Sequence, residues 1–211
     1  DLDGREYIDM SIMGIGCNTL GYGDDEVDDA VRRAIDAGTM STLNAPEEVE
    51  LAQKLIALHP WADMARFART GGEANAISIR IARAATGRDG VALCGYHGWH
   101  DWYLAANLGN DETLAGHLLP GLSPNGVPKS LRGSVHPFTY NDFDGLEDLV
   151  RTHDIGVIKM EVSRNYEPSG DFLVRVRQLA DEHGIVLIFD ECTSGFRQAF
   201  AAVKHANKQR L

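Results

Sequence analysis

Three short runs of this sequence carry residue types that can do chemistry. Thr70-Gly71-Gly72 stands at the head of a helical pattern. Paired glycines let the backbone approach a ligand closely, and the free amides of a helix start attract an anion such as phosphate. Gly-Gly pairs serve ordinary turns equally well. The second run, Gly95-Tyr96-His97-Gly98-Trp99-His100-Asp101-Trp102, follows a short apolar stretch. Its flanking glycines leave Tyr96 and His97 free to lie flat against a planar ring, although aromatic core packing explains an isolated cluster as well. A metal site at His97, His100 and Asp101 fits poorly, because these side chains diverge after a strand and no further ligand has suitable spacing. The third candidate, Asp190, closes the run Ile185-Val186-Leu187-Ile188-Phe189. A carboxylate there can pair with a buried cationic nitrogen; a helix cap or an ion pair with Arg197 is the alternative.

In chain order the three runs offer a phosphate cradle, a stacking ring and a buried acid. A protonated pyridine with a phosphate arm requires that set, since the acid keeps the ring nitrogen protonated and lets the ring act as an electron sink.

These residues need elements to position them. Helical spacing of apolar residues predicts helices over Asp24–Gly38, Pro46–Leu58, Ala74–Ala85, Gly145–His153 and Phe172–His183. Compact apolar runs predict strands over Arg5–Met13, Val91–Cys94, Ile155–Val162 and Ile185–Phe189. Buried strands alternating with helices argue for a layered α/β fold with a mixed, mostly parallel sheet, whose ligands sit beyond the carboxyl ends of the strands. Leu108 to Arg132 is the longest irregular stretch, either a cover over a site or a surface excursion.

Composition narrows the partners. The net charge is -11, from 20 Lys and Arg against 31 Asp and Glu, and no basic stripe is interleaved with aromatics. A nucleic-acid or membrane-surface partner is therefore not expected. The acidic run Asp24-Asp25-Glu26 with Asp28-Asp29 reads as a solvated helix start. The 3 cysteines, Cys17, Cys94 and Cys192, form no close pair, which predicts buried thiols in a reducing cytoplasm. No apolar run approaches the roughly 20 residues of a membrane helix. No signal peptide is visible at the start, and a cytoplasmic location is expected, although the opening at Asp1 without Met leaves room for a preceding segment.

Three ordered segments carry a family resemblance: Phe67-Ala68-Arg69-Thr70-Gly71-Gly72-Glu73-Ala74, Gly95-Tyr96-His97-Gly98, and Ile188-Phe189-Asp190-Glu191-Cys192-Thr193-Ser194-Gly195-Phe196-Arg197. Together they resemble the class III pyridoxal-phosphate-dependent aminotransferases, nearest the glutamate-1-semialdehyde 2,1-aminomutase branch. Asp3-Gly4, Tyr7-Ile8-Asp9, Leu20-Gly21-Tyr22 and Pro46 are similar to the family's N-terminal part. The resemblance covers about residues 1–200. It implies the large domain of aminotransferase fold type I, incomplete at its C-terminus. The implied organisation is an N-terminal segment over 1–45, part of the cofactor-binding domain over 46–200, and a divergent tail over 201–211.

The resemblance further implies that Thr70, Gly71 and Gly72 hold the phosphate of pyridoxal 5'-phosphate. Tyr96 would stack on its ring with His97 beside it, Asp190 would pair with the ring nitrogen, and Cys192 would replace a small apolar residue under the other face. Glu161 matches an active-site Glu, and Asn165 an Asn near the cofactor's phenolic oxygen. Val162 replaces the family's proline, and Gly72 a frequent Thr or Ser. The Schiff-base lysine has no match: Lys204 and Lys208 lie in the divergent tail, away from the family's spacing. The expected activity of the parent protein is amino transfer between an amine donor and a carbonyl substrate in a homodimer, with this chain inactive alone. The run Gly98 to Tyr103 resembles forms from sugar or surface-polysaccharide pathways. Intramolecular transfer by an aminomutase is the alternative within the family. A non-catalytic binding module, or a domain for some other phosphorylated ligand, is the alternative outside it.

Overall fold

Short polar side chains fix where several helices of this chain begin. The computed structural model describes residues 1–40, 42–110, 112–117, 120–163 and 165–197. The expected tail at 201–211, with Lys204 and Lys208, lies outside them. The chain divides into two units, Asp1–Lys54 and Leu55–Leu211.

In the first unit, α1 (Met13–Gly16) is a single turn in which Gly14 and Ile15 take φ values of 63° and 59°. Helix α2 (Asp25–Ala37) is capped by Asp24, whose side chain accepts the Val27 amide at 3.0 Å. Asp25, Glu26 and Asp28 fill its first turn, where carboxylates complement the helix dipole, so the acidic run has its expected role. Helix α3 (Pro46–Leu58), whose last turn falls in the second unit, starts on a proline whose missing N–H would have had no intrahelical partner. The strand expected over Arg5–Met13 is not formed. No strand exists among the described residues of this unit, so that run has no ladder to join, and the left-handed turn at Gly14 and Ile15 ends it.

The second unit alternates helices and strands: α4 (Gly71–Thr86), β1 (Gly90–Cys94), α5 (Asp101–Leu104), β2 (Val135–Pro137), α6 (Phe143–Thr152), β3 (Ile155–Glu161), α7 (Phe172–Glu182) and β4 (Val186–Asp190). The strands form one parallel sheet in the order β2-β1-β3-β4. Strand alternation sends Ile158 and Met160 into a core with Leu146, Val176 and Leu179, beneath α6 and α7. On the opposite face Val157 joins Val91 and Leu93 against Ile79 and Ala82 of α4 and Trp102 and Tyr103 of α5. A sheet covered on both faces explains why its strands read as nearly unbroken apolar runs. The short elements α5 and β2 were not expected; β2 has three residues, ends in Pro137 and lies at the sheet edge, where a missing donor is tolerated.

The irregular stretch after Leu108 is tied down by Asn107, whose side chain donates to the Leu122 carbonyl at 2.6 Å and accepts the Leu114 amide at 2.9 Å. The cysteine expectation needs correction: Cys94 is buried in the core, but Cys17 and Cys192 are exposed. Cys192 belongs to the turn beyond the end of β4, outside the two packed layers. Among the described residues no helix is long and apolar enough to cross a membrane.

Leu146 is fully buried between α6 and the sheet. Leu146→Ala is expected to lower stability by roughly 2–5 kcal/mol, read as an earlier midpoint at unchanged slope in urea denaturation.

Candidate active site

Parallel pairing brings the carboxyl ends of β1, β3 and β4 to one edge of the sheet. Asp190, the last residue of β4, is in register with Glu161, the last of β3. Its Oδ2 lies 2.8 Å from His97 Nδ1, and its Oδ1 accepts the Cys192 amide at 3.0 Å. The other nitrogen of the His97 ring faces the Cys94 carbonyl at 3.1 Å. Both ring nitrogens thus face acceptor oxygens, an arrangement satisfied in full when each carries a proton. The Asp190 side chain is 8% exposed. Burial alone raises its carboxyl, but the hydrogen bond and charge of His97, the charge of Lys159 and the Cys192 amide outweigh it and hold the carboxyl at about 2.

Tyr96 and His97 project from a glycine-flanked turn. Gly95 has φ of 108°, and a Cβ there would stand 2.5 Å from Glu161 Oε2, so only glycine fits without displacing that carboxylate. The turn is held from three sides. The Tyr96 amide donates to Glu161 Oε2 at 3.3 Å, the Tyr103 hydroxyl donates to the Gly95 carbonyl at 3.1 Å, and the Gly95 amide donates to His117 Nδ1 at 3.1 Å. Burial, reinforced by His97, lowers the His117 imidazole, consistent with Nδ1 acting as an acceptor.

Helix α4 begins at Thr70, whose Oγ1 accepts the Glu73 amide at 3.2 Å, while Glu73 Oε2 accepts the Arg69 amide at 2.9 Å. This reciprocal cap leaves the Gly71 and Gly72 amides without a protein acceptor among the described residues, as the first turn of a helix dictates. The three runs converge here. Cys192 Sγ lies 3.7 Å from where a Cβ on Gly71 would be, His100 Nε2 2.8 Å from one on Gly72, and the Gly72 Cα 3.2 Å from one on Gly98.

Glu161 and Asn165 line a crevice of about 260 Å³ with His117, Tyr140 and Tyr166. Val162 is buried in the core, and its carbonyl accepts the Tyr140 hydroxyl. A larger cleft of about 500 Å³ beside Trp61, Phe189 and Phe196 is mainly apolar, so volume is a poor guide to where the reactive groups gather. Thr70, Gly71, Gly72, Tyr96, His97, Asp190 and Cys192 therefore meet at one corner, with Glu161 touching it through Tyr96. Asn165 is exposed on the crevice side. His97 faces Asp190, and His100 lies against Gly72.

Sequence reasoning missed His117, Tyr103 and Lys159. The irregular stretch gave no signal for His117. Lys159 had one, a cation inside the apolar strand run. It is 1% exposed, and its Nζ donates to Ser78 Oγ at 3.4 Å. Burial lowers this ammonium to about 8, opposed by the charge of Asp190.

The family description for class III aminotransferases matches residues 1–205. The chain belongs to the class III aminotransferases. It is 34% identical over 206 residues to 3-aminobutyryl-CoA aminotransferase of Cloacimonas acidaminovorans, covering 93% of this chain and 45% of that protein. It is 37% identical over 211 residues to glutamate-1-semialdehyde 2,1-aminomutase of Nitratidesulfovibrio vulgaris, covering 96% of this chain and 48% of that protein. Among solved structures, the FumI protein of Sphingopyxis sp. MTA144, in its PLP internal aldimine form, superposes with a TM-score of 0.79 at 28% identity, over 98% of this chain and 48% of that one. The parallel sheet flanked by helices is thus part of the fold type I aminotransferase architecture. The chain spans about half the length of these class III relatives.

The depressed Asp190 carboxyl has a stability consequence. Unfolded, the group binds its proton near pH 4, but folded only near 2, so its contribution is present above about pH 4 and is lost as pH falls toward 2. That contribution is about 2 kcal/mol. Asp190→Asn removes this slope, seen as a flatter dependence of urea midpoints on pH between 4 and 2.

Proposed function

We propose that this class III chain forms the cofactor-binding corner of a pyridoxal-phosphate enzyme that moves an amino group between an amine donor and a carbonyl compound. One observation carries the proposal: a carboxylate almost fully buried at a strand tip, held anionic at about 2, beside a helix start with unpaired amides. The corner fits the group. An anion suits the Gly71 and Gly72 amides, and a carboxylate with two oxygens retains lone pairs for a ring nitrogen after bonding His97 and Cys192. Once bound, the cofactor supplies a protonated pyridine that accepts electron density from the substrate.

The chain's own residues then divide the work. Thr70 fixes the helix start, and the Gly71 and Gly72 amides bind the phosphate. Asp190 holds the proton at the ring nitrogen, and His97 orients Asp190 by occupying its other side. Tyr96 covers one ring face and Cys192 the other. Glu161 and Asn165 face the crevice, where Asn165 serves the phenolic oxygen and Glu161 the substrate side. The run Gly98 to Tyr103 suggests a sugar-derived carbonyl acceptor. The 211-residue chain binds cofactor in this scheme without turning substrate over alone, and the active parent is a cytoplasmic homodimer. An aminomutase is the second reading, favoured by the 37% identity to the Nitratidesulfovibrio vulgaris enzyme of that name. Product formation by the parent protein without an external amine donor would favour it.

Titrating the purified chain with pyridoxal phosphate tests the corner. Saturable binding is expected, with Asp190→Ala weakening it about tenfold or more. Unchanged affinity in that variant sinks the assignment of the acid. Borohydride reduction and mass spectrometry are expected to give sparse labels on surface lysines. A stoichiometric adduct on Lys204 or Lys208 would show instead that the chain supplies its own covalent lysine.

A further inference from the structure

Lys159 is a buried cation that the scheme above does not use. Strand alternation and register place it: Lys159 pairs with Ile188, two residues before the Glu161 and Asp190 pair. Paired residues on neighbouring parallel strands point to the same face, and two residues along returns to that face. Lys159, Glu161 and Asp190 therefore share the face covered by α4, with the lysine one step deeper. Two carboxylates in adjacent register positions repel each other unless a cation stands near. The titratable or charged groups on the lysine's side of the sheet are Asp190 from β4, Glu161 from β3 and His97 from the turn after β1, while α4 offers the neutral Ser78 hydroxyl. At 1% exposure the ammonium makes one long bond to that hydroxyl. A lysine kept only for packing is replaced by methionine or leucine without loss, because buried charge is expensive to maintain.

We propose that Lys159 is a positioning residue that acts through Asp190, its buried ammonium being the counter-charge that keeps the Asp190 carboxylate ionised for the cofactor's ring nitrogen. The proposal rests on the assignment of this corner to pyridoxal phosphate, but the counter-charge itself is a property of the chain alone. Lys159 sits two residues deeper in the sheet than the Glu161 and Asp190 pair, and its Nζ bonds Ser78, so it acts on Asp190 through the field. The lowered Lys159 ammonium, opposed by Asp190, is in keeping with this coupling.

The test is a carboxyl-carbon NMR titration of the chain and of its Lys159→Met variant, which keeps the side-chain length and removes the charge. The Asp190 midpoint is expected to rise by about one unit or more in the variant, while the folded spectrum and the urea midpoint near neutral pH are retained. An unchanged Asp190 midpoint in the folded variant overturns the proposal. If the variant does not fold, the wild-type chain decides. Raising the pH through the lysine's titration near 8 is expected to move the Asp190 and His97 signals in one shared step, and silence of both signals overturns the proposal. Comparing pyridoxal phosphate with its 1-deaza analogue, which has carbon at the ring-nitrogen position, tests the underlying assignment separately. Preference for the nitrogen form, reduced about tenfold in Lys159→Met, supports both. Equal affinity of the wild type for the two overturns the ring-nitrogen role of Asp190 and, with it, the role of Lys159 toward that nitrogen.

Discussion

Keeping a carboxylate charged inside a protein sets the terms for the rest of this structure. Asp190 is almost fully withdrawn from water, and desolvation by itself pushes such a group toward its neutral form. A neutral acid is a poor partner for a cationic nitrogen, so the fold has to supply compensation. It does so from three separate stretches of chain: the His97 imidazole from the turn after β1, the Cys192 amide from the turn after β4, and the Lys159 charge from within β3. An antiparallel sheet would send the ends of β3 and β4 to opposite edges. The parallel order β2-β1-β3-β4 sends them to the same one, and that is how architecture is tied to electrostatics here.

Close backbone approach is the second requirement, and glycine meets it where the turn and the helix start converge. Gly95 must clear the Glu161 carboxylate while taking a left-handed φ of 108°, and Gly98 comes close to the Gly72 Cα. These contacts bring the Tyr96 turn against the start of α4. The same economy appears in Thr70, whose hydroxyl is spent on capping Glu73. The backbone amides of Gly71 and Gly72, which carry no side chains, are thereby left as the open donors of this helix start.

The parts of this design that follow local rules were legible in the sequence. Asp24, Pro46 and Thr70 mark helix starts by their own chemistry, and the runs at Val91, Ile155 and Ile185 announce strands buried on both faces. Asp190 was legible because an acid at a strand tip is unusual after five apolar residues. What escaped depends on contacts distant in sequence. Arg5–Met13 has the composition of a strand but no ladder to join. His117 lies 22 residues from the Gly95 amide it accepts, inside a stretch without periodicity. Cys192 reads as a buried thiol because it stands beside the apolar run ending at Phe189, yet the turn that carries it leaves the layered core. Lys159 was visible as an anomaly, but its meaning required the register with β4.

At Gly72 and Val162, where the resemblance implies other residue types, neighbouring side chains fix the local structure. A threonine or serine at position 72 would need space that His100 fills, since Nε2 stands 2.8 Å from where the Cβ would be. Gly72 and His100 therefore form a matched pair: restoring the hydroxyl requires moving or shrinking the imidazole, and shrinking the imidazole alone opens a gap beside the helix start. Val162 behaves similarly. Its side chain joins the core beneath α6 and α7, and its carbonyl is taken up by the Tyr140 hydroxyl, so the chain leaves β3 in a fixed direction without proline. Glu161, immediately before it, still points to the Tyr96 amide. At both positions a neighbouring side chain supplies the local restraint, while the Asp190 and His97 pair is set by the register of the parallel strands.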